Sequence, residues 1–189
     1  MTSRGLFPAA LAALSLSLSA CAMQALPPPQ ATLDNIQALR AAGAGAMAVG
    51  DFTPAPGRPV EMYRSIAVRA GVQAAPDGSF AKYLGETLVA QLKAAGKLDP
   101  GSSLSVSGVV TDTHVDSAVP NARAALAAQF TLTRSGKVVF EKTLAVESRW
   151  DSELIGAVAI PDAFNHYVGL FPQLATKLFT DPEFIAAAR

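Results

Sequence analysis

The chain has few of the residues on which most recognisable enzyme sites are built. It contains 1 cysteine and 2 histidines, which are His114 and His166. Zinc sites that use several histidines are therefore excluded, and a catalytic triad has few ways to assemble. The glycines are scattered singly, which excludes a phosphate-binding glycine loop, and no serine lies in a nucleophile-elbow motif. We therefore predict neither a catalytic site nor a cofactor.

Charge is also scarce, and it is balanced. Charged residues make up 16% of the chain, with 15 basic and 15 acidic side chains. A balanced charge of this kind creates no strong field that would attract nucleic acid. We expect no nucleic-acid partner.

The first 20 residues have the pattern of a secretion signal. A short basic segment around Arg4 precedes an apolar run over residues 6–18, which serines interrupt and small residues follow. The run is shorter than the ~20 residues that a transmembrane helix needs. The sequence therefore predicts a signal peptide over residues 1–20 rather than a retained membrane span.

The lone cysteine stands directly after this run, in the order Leu18, Ser19, Ala20, Cys21. These residues resemble the lipobox of bacterial lipoproteins. The resemblance implies cleavage before Cys21 and acyl chains, such as palmitate, on that residue; two or three chains hold a soluble domain on a bilayer. Ala22 stands where a lipoprotein retained in the inner membrane often has Asp, which favours the outer membrane. The alternative is an ordinary secretion signal with an incidental cysteine.

Three segments follow the signal peptide. Residues 21–32 contain three consecutive prolines after Leu26 and are predicted to form a lipidated, extended tether. Residues 33–59 are predicted to hold a short helix, a short strand over residues 47–52 and a loop that lead into the domain. Strong periodic patterns begin near Val60, so we predict an α/β periplasmic domain over residues 60–189.

The predicted elements of this domain follow the order β-α-β-β-β-α. A strand over residues 65–71 precedes a helix that Ser79 caps and Gly96 closes. Alternating patterns then predict a strand from Leu104 and a hairpin over residues 124–133 and 138–148. A long helix is predicted from about Asp162, and Asp181 caps a last short one. The fold class is α+β: a two-layer sandwich of a mainly antiparallel sheet with two helices packed on one face.

This element order, across residues 60–180 of a lipid-anchored chain, resembles the periplasmic auxiliary lipoproteins of ABC transporters. It also resembles the small lipoprotein component of the lipopolysaccharide translocon. The resemblance is one of layout, without a shared signature motif. It implies a role as an accessory of a transport system.

Asp112, His114 and Asp116 form the best polar constellation. They share one face if the strand continues, and two carboxylates and an imidazole could face a cation. The competing interpretation is a strand that leaves the core and enters solvent. Three weak ligands make a poor transition-metal site, so we predict no metal. For His166, a flank or surface position on the last long helix is favoured over a ligand role.

The segment from Trp150 to residue 160 is the candidate binding surface. Trp150 is the only tryptophan, and residues 154–160 form an uninterrupted apolar run. Exposed apolar patches with an aromatic anchor often mark contacts, so Trp150, Leu154, Ile155 and Val158 are candidate contacts to an envelope protein or lipid. The competing interpretation, which we favour, is that the run crosses one end of the sheet and fills the core.

The sequence therefore predicts a lipid-anchored outer-membrane protein whose periplasmic domain binds a protein partner or an envelope lipid. Two alternatives remain open at this point. One is a hydrolase or other enzyme that acts on envelope material, and the other is a purely structural envelope protein.

Overall fold

The computed structural model describes residues 24–69, 71–75 and 78–189. The predicted signal peptide and Cys21 lie outside these residues. The described elements, in chain order, are β1 (Gln24–Ala25), α1 (Leu33–Ala41), β2 (Ala48–Pro54), β3 (Ser65–Val68), β4 (Gly71–Ala74), α2 (Phe80–Ala95), β5 (Leu104–Asp116), β6 (Asn121–Arg134), β7 (Lys137–Asp151), α3 (Gly156–Phe179) and α4 (Pro182–Ala188). A 3₁₀ turn, Val60–Tyr63, precedes β3.

The main sheet has four strands in the order β2-β5-β6-β7. β6 is antiparallel to both of its neighbours, whereas β2 runs parallel to β5. Helix α2 packs on β2 and β5, α3 packs on β6 and β7, and α1 contacts both of these helices. The predicted two-layer α+β sandwich is therefore confirmed, with helices on one face of a mainly antiparallel sheet.

The prediction of one strand over residues 65–71 in the main sheet is wrong. The backbone turns at Arg69, whose φ is 53°, so the segment forms an antiparallel hairpin of β3 and β4. β1 joins β4 in parallel and completes a separate three-stranded sheet. In the main sheet the edge position belongs to β2, which the segment over residues 33–59 supplies. A parallel neighbour needs a crossover connection, and α2 lies in that connection.

Helix α2 is the element that the sequence specifies most directly. The Ser79 side chain accepts a hydrogen bond from the backbone N–H of Lys82, and Gly96 ends the helix with a φ of 72°. Both ends match the predicted caps, because a serine hydroxyl satisfies a free N–H and glycine adopts the left-handed conformation without strain. The apolar stripe that begins at Phe80 is buried throughout.

The hairpin of β6 and β7 is closed by two residues, Ser135 and Gly136, whose φ values are 50° and 78°. Two positive φ values at adjacent positions are those of a type I′ turn, whose twist matches that of the paired strands. This turn confirms the predicted hairpin. Beyond the turn the register shifts by one residue between Thr133 and Leu132, so that Leu132 lies opposite Phe140, and both are buried.

Phe52 of β2 fills a narrow part of the space between α2 and the sheet. A Cβ added at Gly85 would lie 3.0 Å from its ring, and one added at Gly108 would lie 2.5 Å from it. The ring also makes an edge contact with Phe130 at a centroid distance of 6.1 Å. Glycine at these two positions therefore lets helix and sheet approach with one aromatic ring between them.

The C-terminal helices match the prediction except at one boundary. Helix α3 begins at Gly156, six residues before the predicted start at Asp162. The apolar run therefore supplies the first turn of a helix instead of crossing the end of the sheet. For α4, the Asp181 carboxylate accepts hydrogen bonds from the N–H groups of Glu183 and Phe184. This confirms the predicted cap.

The described part of the predicted tether, residues 24–32, is packed on the domain. Leu26 is only 4% exposed, and its N–H donates to Ala74. The Tyr83 hydroxyl donates to the carbonyl of Pro27 at 2.8 Å, and burial raises the pKa of Tyr83 to about 12. Gln91 donates to the carbonyl of Gln30 at 3.0 Å. The prolines exclude regular structure, but these contacts keep the segment from acting as a free spacer.

Candidate functional site

Three large apolar side chains at the start of α3 are open to solvent. Leu154 is 80% exposed, Ile155 is 66% exposed and Val158 is 53% exposed. We call these three residues the α3 apolar patch. The favoured interpretation, that this segment fills the core, is wrong for them. The three residues lie within one helical turn of each other at the N-terminus of α3, and the next residue, Ala159, is the first of the helix to be fully buried.

Trp150, the fourth predicted contact residue, does not belong to the patch. Its indole is half-buried between β7 and α3 and stacks on the imidazole of His166, with ring centroids 4.2 Å apart and planes 8° apart. Its Nε1 is buried and makes no hydrogen bond within the described part of the chain. Trp150 therefore joins strand to helix beside the patch.

Arg69 holds the loop that carries the patch. Its guanidinium donates to the carbonyl of Leu154 at 3.0 Å and to the hydroxyl of Ser152 at 3.2 Å, and it also donates to the carbonyl of Glu153. Sequence reasoning missed Arg69, because a single arginine between two short strands gives no signal of its role. The loop is therefore fixed by the turn between β3 and β4.

Two further contacts hold the segments at this end of the molecule together. The N–H of Ser152 donates to the carbonyl of Pro120 at 2.6 Å, which brings the loop between β5 and β6 beside the patch loop. In that loop Val119 is 45% exposed. A Cβ added at Gly71 would lie 2.7 Å from the Ile160 side chain, so the first strand residue after the Arg69 turn packs on α3.

A serine, a histidine and an aspartate meet on the outer side of the Trp150 stack. The Ser148 hydroxyl lies 2.8 Å from Nδ1 of His166, and Asp162 lies 3.7 Å from Nε2. The first distance is that of a hydroxyl and its general base. The second exceeds a hydrogen bond, and the Asp162 side chain is 46% exposed, so it orients the imidazole weakly. The partly exposed position of His166 agrees with the predicted flank position.

The predicted polar trio is only partly brought together. Asp112 lies 3.3 Å from Nδ1 of His114, whereas Asp116 accepts a hydrogen bond from the N–H of Ala118 at 3.1 Å. A bulge between Val110 and Asp112 shifts the register, so Thr113 faces the helices and the trio faces away from them. Within residues 24–69, 71–75 and 78–189, no group of three His, Cys, Asp or Glu side chains is placed to hold a metal ion.

Charges of both signs lie around the end of the sheet beside Trp150. An open cleft of about 510 Å³ is lined by Asn121, Ala122, Arg123, Arg149, Trp150 and Asp151. Arg123 lies directly opposite Arg149, and Arg149 forms an ion pair with Glu147. Exposed Asp151 and Glu153 balance these arginines, so this end of the molecule is not strongly charged.

In the part of the chain that the structure describes, no helix is long and apolar enough to cross a membrane. Although α3 has 24 residues, it carries polar and charged side chains on one side.

Comparison with known proteins shows likeness in structure only. No family model matches the chain, and no curated protein sequence does. The crystal structure of protein XCC0632 from Xanthomonas campestris, assigned to the family model DUF330, matches with a TM-score of 0.51 and 16% identity over 83% of this chain and 87% of that one. A minor lipoprotein from Acinetobacter baumannii matches with a TM-score of 0.43 and 9% identity over 75% of this chain and 94% of that one. The chain therefore shares its fold with the Xanthomonas protein.

Proposed function

We propose that the protein is a lipoprotein, anchored through Cys21 in the outer membrane, whose periplasmic domain works by binding an envelope component at the α3 apolar patch. The observation that carries the proposal is the exposure of Leu154, Ile155 and Val158, three large apolar side chains within five consecutive residues of one fixed segment. Large exposed apolar patches are uncommon on soluble monomers and often mark contact sites.

The way the patch is held supports a contact role. Arg69 donates to two consecutive carbonyls of the loop, at Glu153 and Leu154, and so fixes the side chains that follow. A fixed segment loses little conformational entropy when it binds. An apolar surface that is both exposed and preorganised is therefore better explained as a contact site than as a chance exposure of apolar side chains.

The anchor is supported by the sequence. The order of basic, apolar and small residues ends in Leu18, Ser19, Ala20 and Cys21, and Ala22 favours the outer membrane. A role as accessory to a transport system rests on the resemblance of layout to the auxiliary lipoproteins of ABC transporters, and it forms part of the same proposal.

Three measurements test the proposal. Mass spectrometry of the membrane fraction should find a mature chain that begins at acylated Cys21, and the Cys21→Ser variant should lose stable membrane attachment. A photo-crosslinking residue at Ile155 should capture an envelope component in cells, whereas one at Val138, which is 60% exposed, should capture much less. A free thiol on a membrane-bound chain, or equal capture at both positions, would contradict the proposal.

One observation favours a second candidate, a hydrolase that acts on envelope material. The Ser148 hydroxyl lies within hydrogen-bond distance of His166, as nucleophilic catalysis requires. Ser148→Ala in the chromosomal gene tests it. If Ser148→Ala causes the same defect as deletion of the gene, while folding and crosslinking at Ile155 stay normal, the enzyme is favoured. A binding protein predicts that cells with Ser148→Ala behave like the parent strain.

A further inference from the structure

The chain between the proposed lipid anchor and the folded domain is very short. The described chain begins at Gln24, three residues after Cys21, and from there it is held by β1, by the buried Leu26 and by the hydrogen bond from Tyr83 to Pro27. Three extended residues span at most about 11 Å. An acylated Cys21 would therefore keep the surface around Gln24 close to the bilayer.

The direction of β1 shows which surface this is. β1 is parallel to β4, with Gln24 opposite Gln73 and Ala25 opposite Ala74. The N-terminal end of β1 therefore faces the same way as Gly71, where β4 begins. Gly71 packs on Ile160 of α3, and Arg69 before it donates to the patch loop. The chain enters the fold at the end of the molecule that carries the α3 apolar patch.

This end also carries other apolar side chains that are open to solvent. Val72, next to Gly71, is 43% exposed, and Val119 is 45% exposed in the loop that the Ser152 N–H contacts. Together with the patch, five of the nine large apolar side chains that are exposed in the described residues lie here. Apolar side chains concentrated where a lipid-anchored chain begins fit a lipid surface.

The charges here select the kind of lipid. Asp151 and Glu153 are exposed beside the patch, and the guanidinium of Arg69 is already bonded to the loop. Arg123 and Arg149 lie opposite each other at this end, but Arg149 is paired with Glu147, and the acidic side chains offset the remaining positive charge, so no net basic cluster of the kind that binds anionic membranes is formed here by the described residues. The contact therefore depends on apolar burial, and a zwitterionic surface suits it.

We infer that the α3 apolar patch rests on the bilayer to which Cys21 is attached, with Leu154, Ile155 and Val158 inserted at the boundary between headgroups and acyl chains. The inference rests on the proposed lipid anchor and names the occupant of the same site. Surface-bound apolar faces reach about 5–10 Å into this boundary. The patch would then fix how the domain stands on the membrane.

The test uses the full lipidated chain in phosphatidylcholine vesicles, with and without brominated acyl chains that quench nearby tryptophan. In a Trp150→Phe background, Ile155→Trp places the probe in the patch. Val138→Trp is the matched control, because it is similarly exposed but lies about 40 Å along β7 from position 150. Val158→Trp is a second patch position in case the first variant folds poorly.

We expect brominated lipid to reduce emission about twofold from position 155 or 158 and to leave emission from position 138 unchanged, because only the patch reaches the depth of the acyl chains. Acylation by mass spectrometry and vesicle flotation are measured on the same samples. A chain that is not acylated refutes the proposed anchor. An acylated chain that floats with the vesicles but shows no quenching at position 155 or 158 overturns the lipid inference alone. A crosslink from Ile155 to a protein in cells, without quenching of the position-155 tryptophan in vesicles, also overturns the lipid inference.

Discussion

The indole of Trp150 lies flat on the imidazole of His166, with ring centroids 4.2 Å apart, and this contact joins the end of β7 to α3. Stacked aromatic pairs contribute about 0.5–1.5 kcal/mol beyond area burial. We expect Trp150→Ala and His166→Ala to destabilise the fold, and the double variant to cost less than the sum by about that amount. Urea unfolding followed by circular dichroism measures the cycle; strict additivity would mean that the stack contributes nothing.

A buried hydrogen bond joins β5 to α3. The hydroxyls of Thr113 and Tyr167 lie 2.5 Å apart, and burial raises the pKa of Tyr167 well above its usual value. Tyr167→Phe leaves the Thr113 hydroxyl without this partner, which should cost about 1–3 kcal/mol. Tyr63→Phe is the control, because the Tyr63 hydroxyl is buried without a hydrogen bond in the described chain. The melting temperature of the Tyr63→Phe variant should be unchanged or raised. A decrease in its melting temperature equal to that of Tyr167→Phe would contradict this reasoning.

Gly108→Ala tests the narrow space that Phe52 occupies. The added methyl group would lie 2.5 Å from the Phe52 ring and 3.0 Å from the carbonyl of Gln129. Overpacking of this kind typically costs about 1–3 kcal/mol. At Gly50, where the nearest atoms would be 3.4 Å away, the same change should cost less. Chemical denaturation compares the two variants, and equal stability would show that the Phe52 ring moves aside freely.

The Asp181 carboxylate should stabilise the fold in a pH-dependent way. Its burial disfavours the charged form, but hydrogen bonds from Lys142 and from the N–H groups of Phe184 and Glu183 outweigh this and lower its pKa. A lowered pKa stabilises the folded state at pH values above the unfolded pKa of about 3.9, and the effect is lost as pH falls through the folded value. Asp181→Asn should therefore melt at a lower temperature than the parent at pH 7.

The difference in melting temperature between Asp181→Asn and the parent should shrink on acidification, and it should vanish below the folded pKa. Asp181→Ala also removes the helix cap, which typically costs about 1 kcal/mol, so its deficit should persist at low pH. A deficit of Asp181→Asn that does not change between neutral and acidic pH would refute the electrostatic part of this explanation.

The elements that were predicted correctly are those with local signals. Ser79 and Gly96 mark both ends of α2, Gly136 favours the tight turn between β6 and β7, and Asp181 caps α4. Each signal acts within a few residues, so one sequence is enough to detect it. The fold class follows from the order of these elements.

The misplaced strand depends on contacts between residues that are distant in sequence. β2 pairs with β5 more than 50 residues later, and no local pattern shows that it, rather than residues 65–68, enters the main sheet. The candidate site was hidden for a similar reason. Whether Leu154 and Ile155 are buried depends on where α3 begins and on the hydrogen bonds from Arg69, 85 and 84 residues away from the Leu154 and Glu153 carbonyls.

For the lipoprotein proposed above, the hydrogen bond from Tyr83 to Pro27 has a consequence for the order of export, acylation and cleavage. A peptidase that cuts before Cys21 needs an extended chain within its active site, yet the folded domain holds the chain from Gln24 onward. Once β1 has paired with β4, only three residues separate the cut from a bulky folded body. We therefore expect acylation and cleavage to precede the docking of β1. A chain that folds too early in the periplasm would then accumulate as an uncleaved precursor.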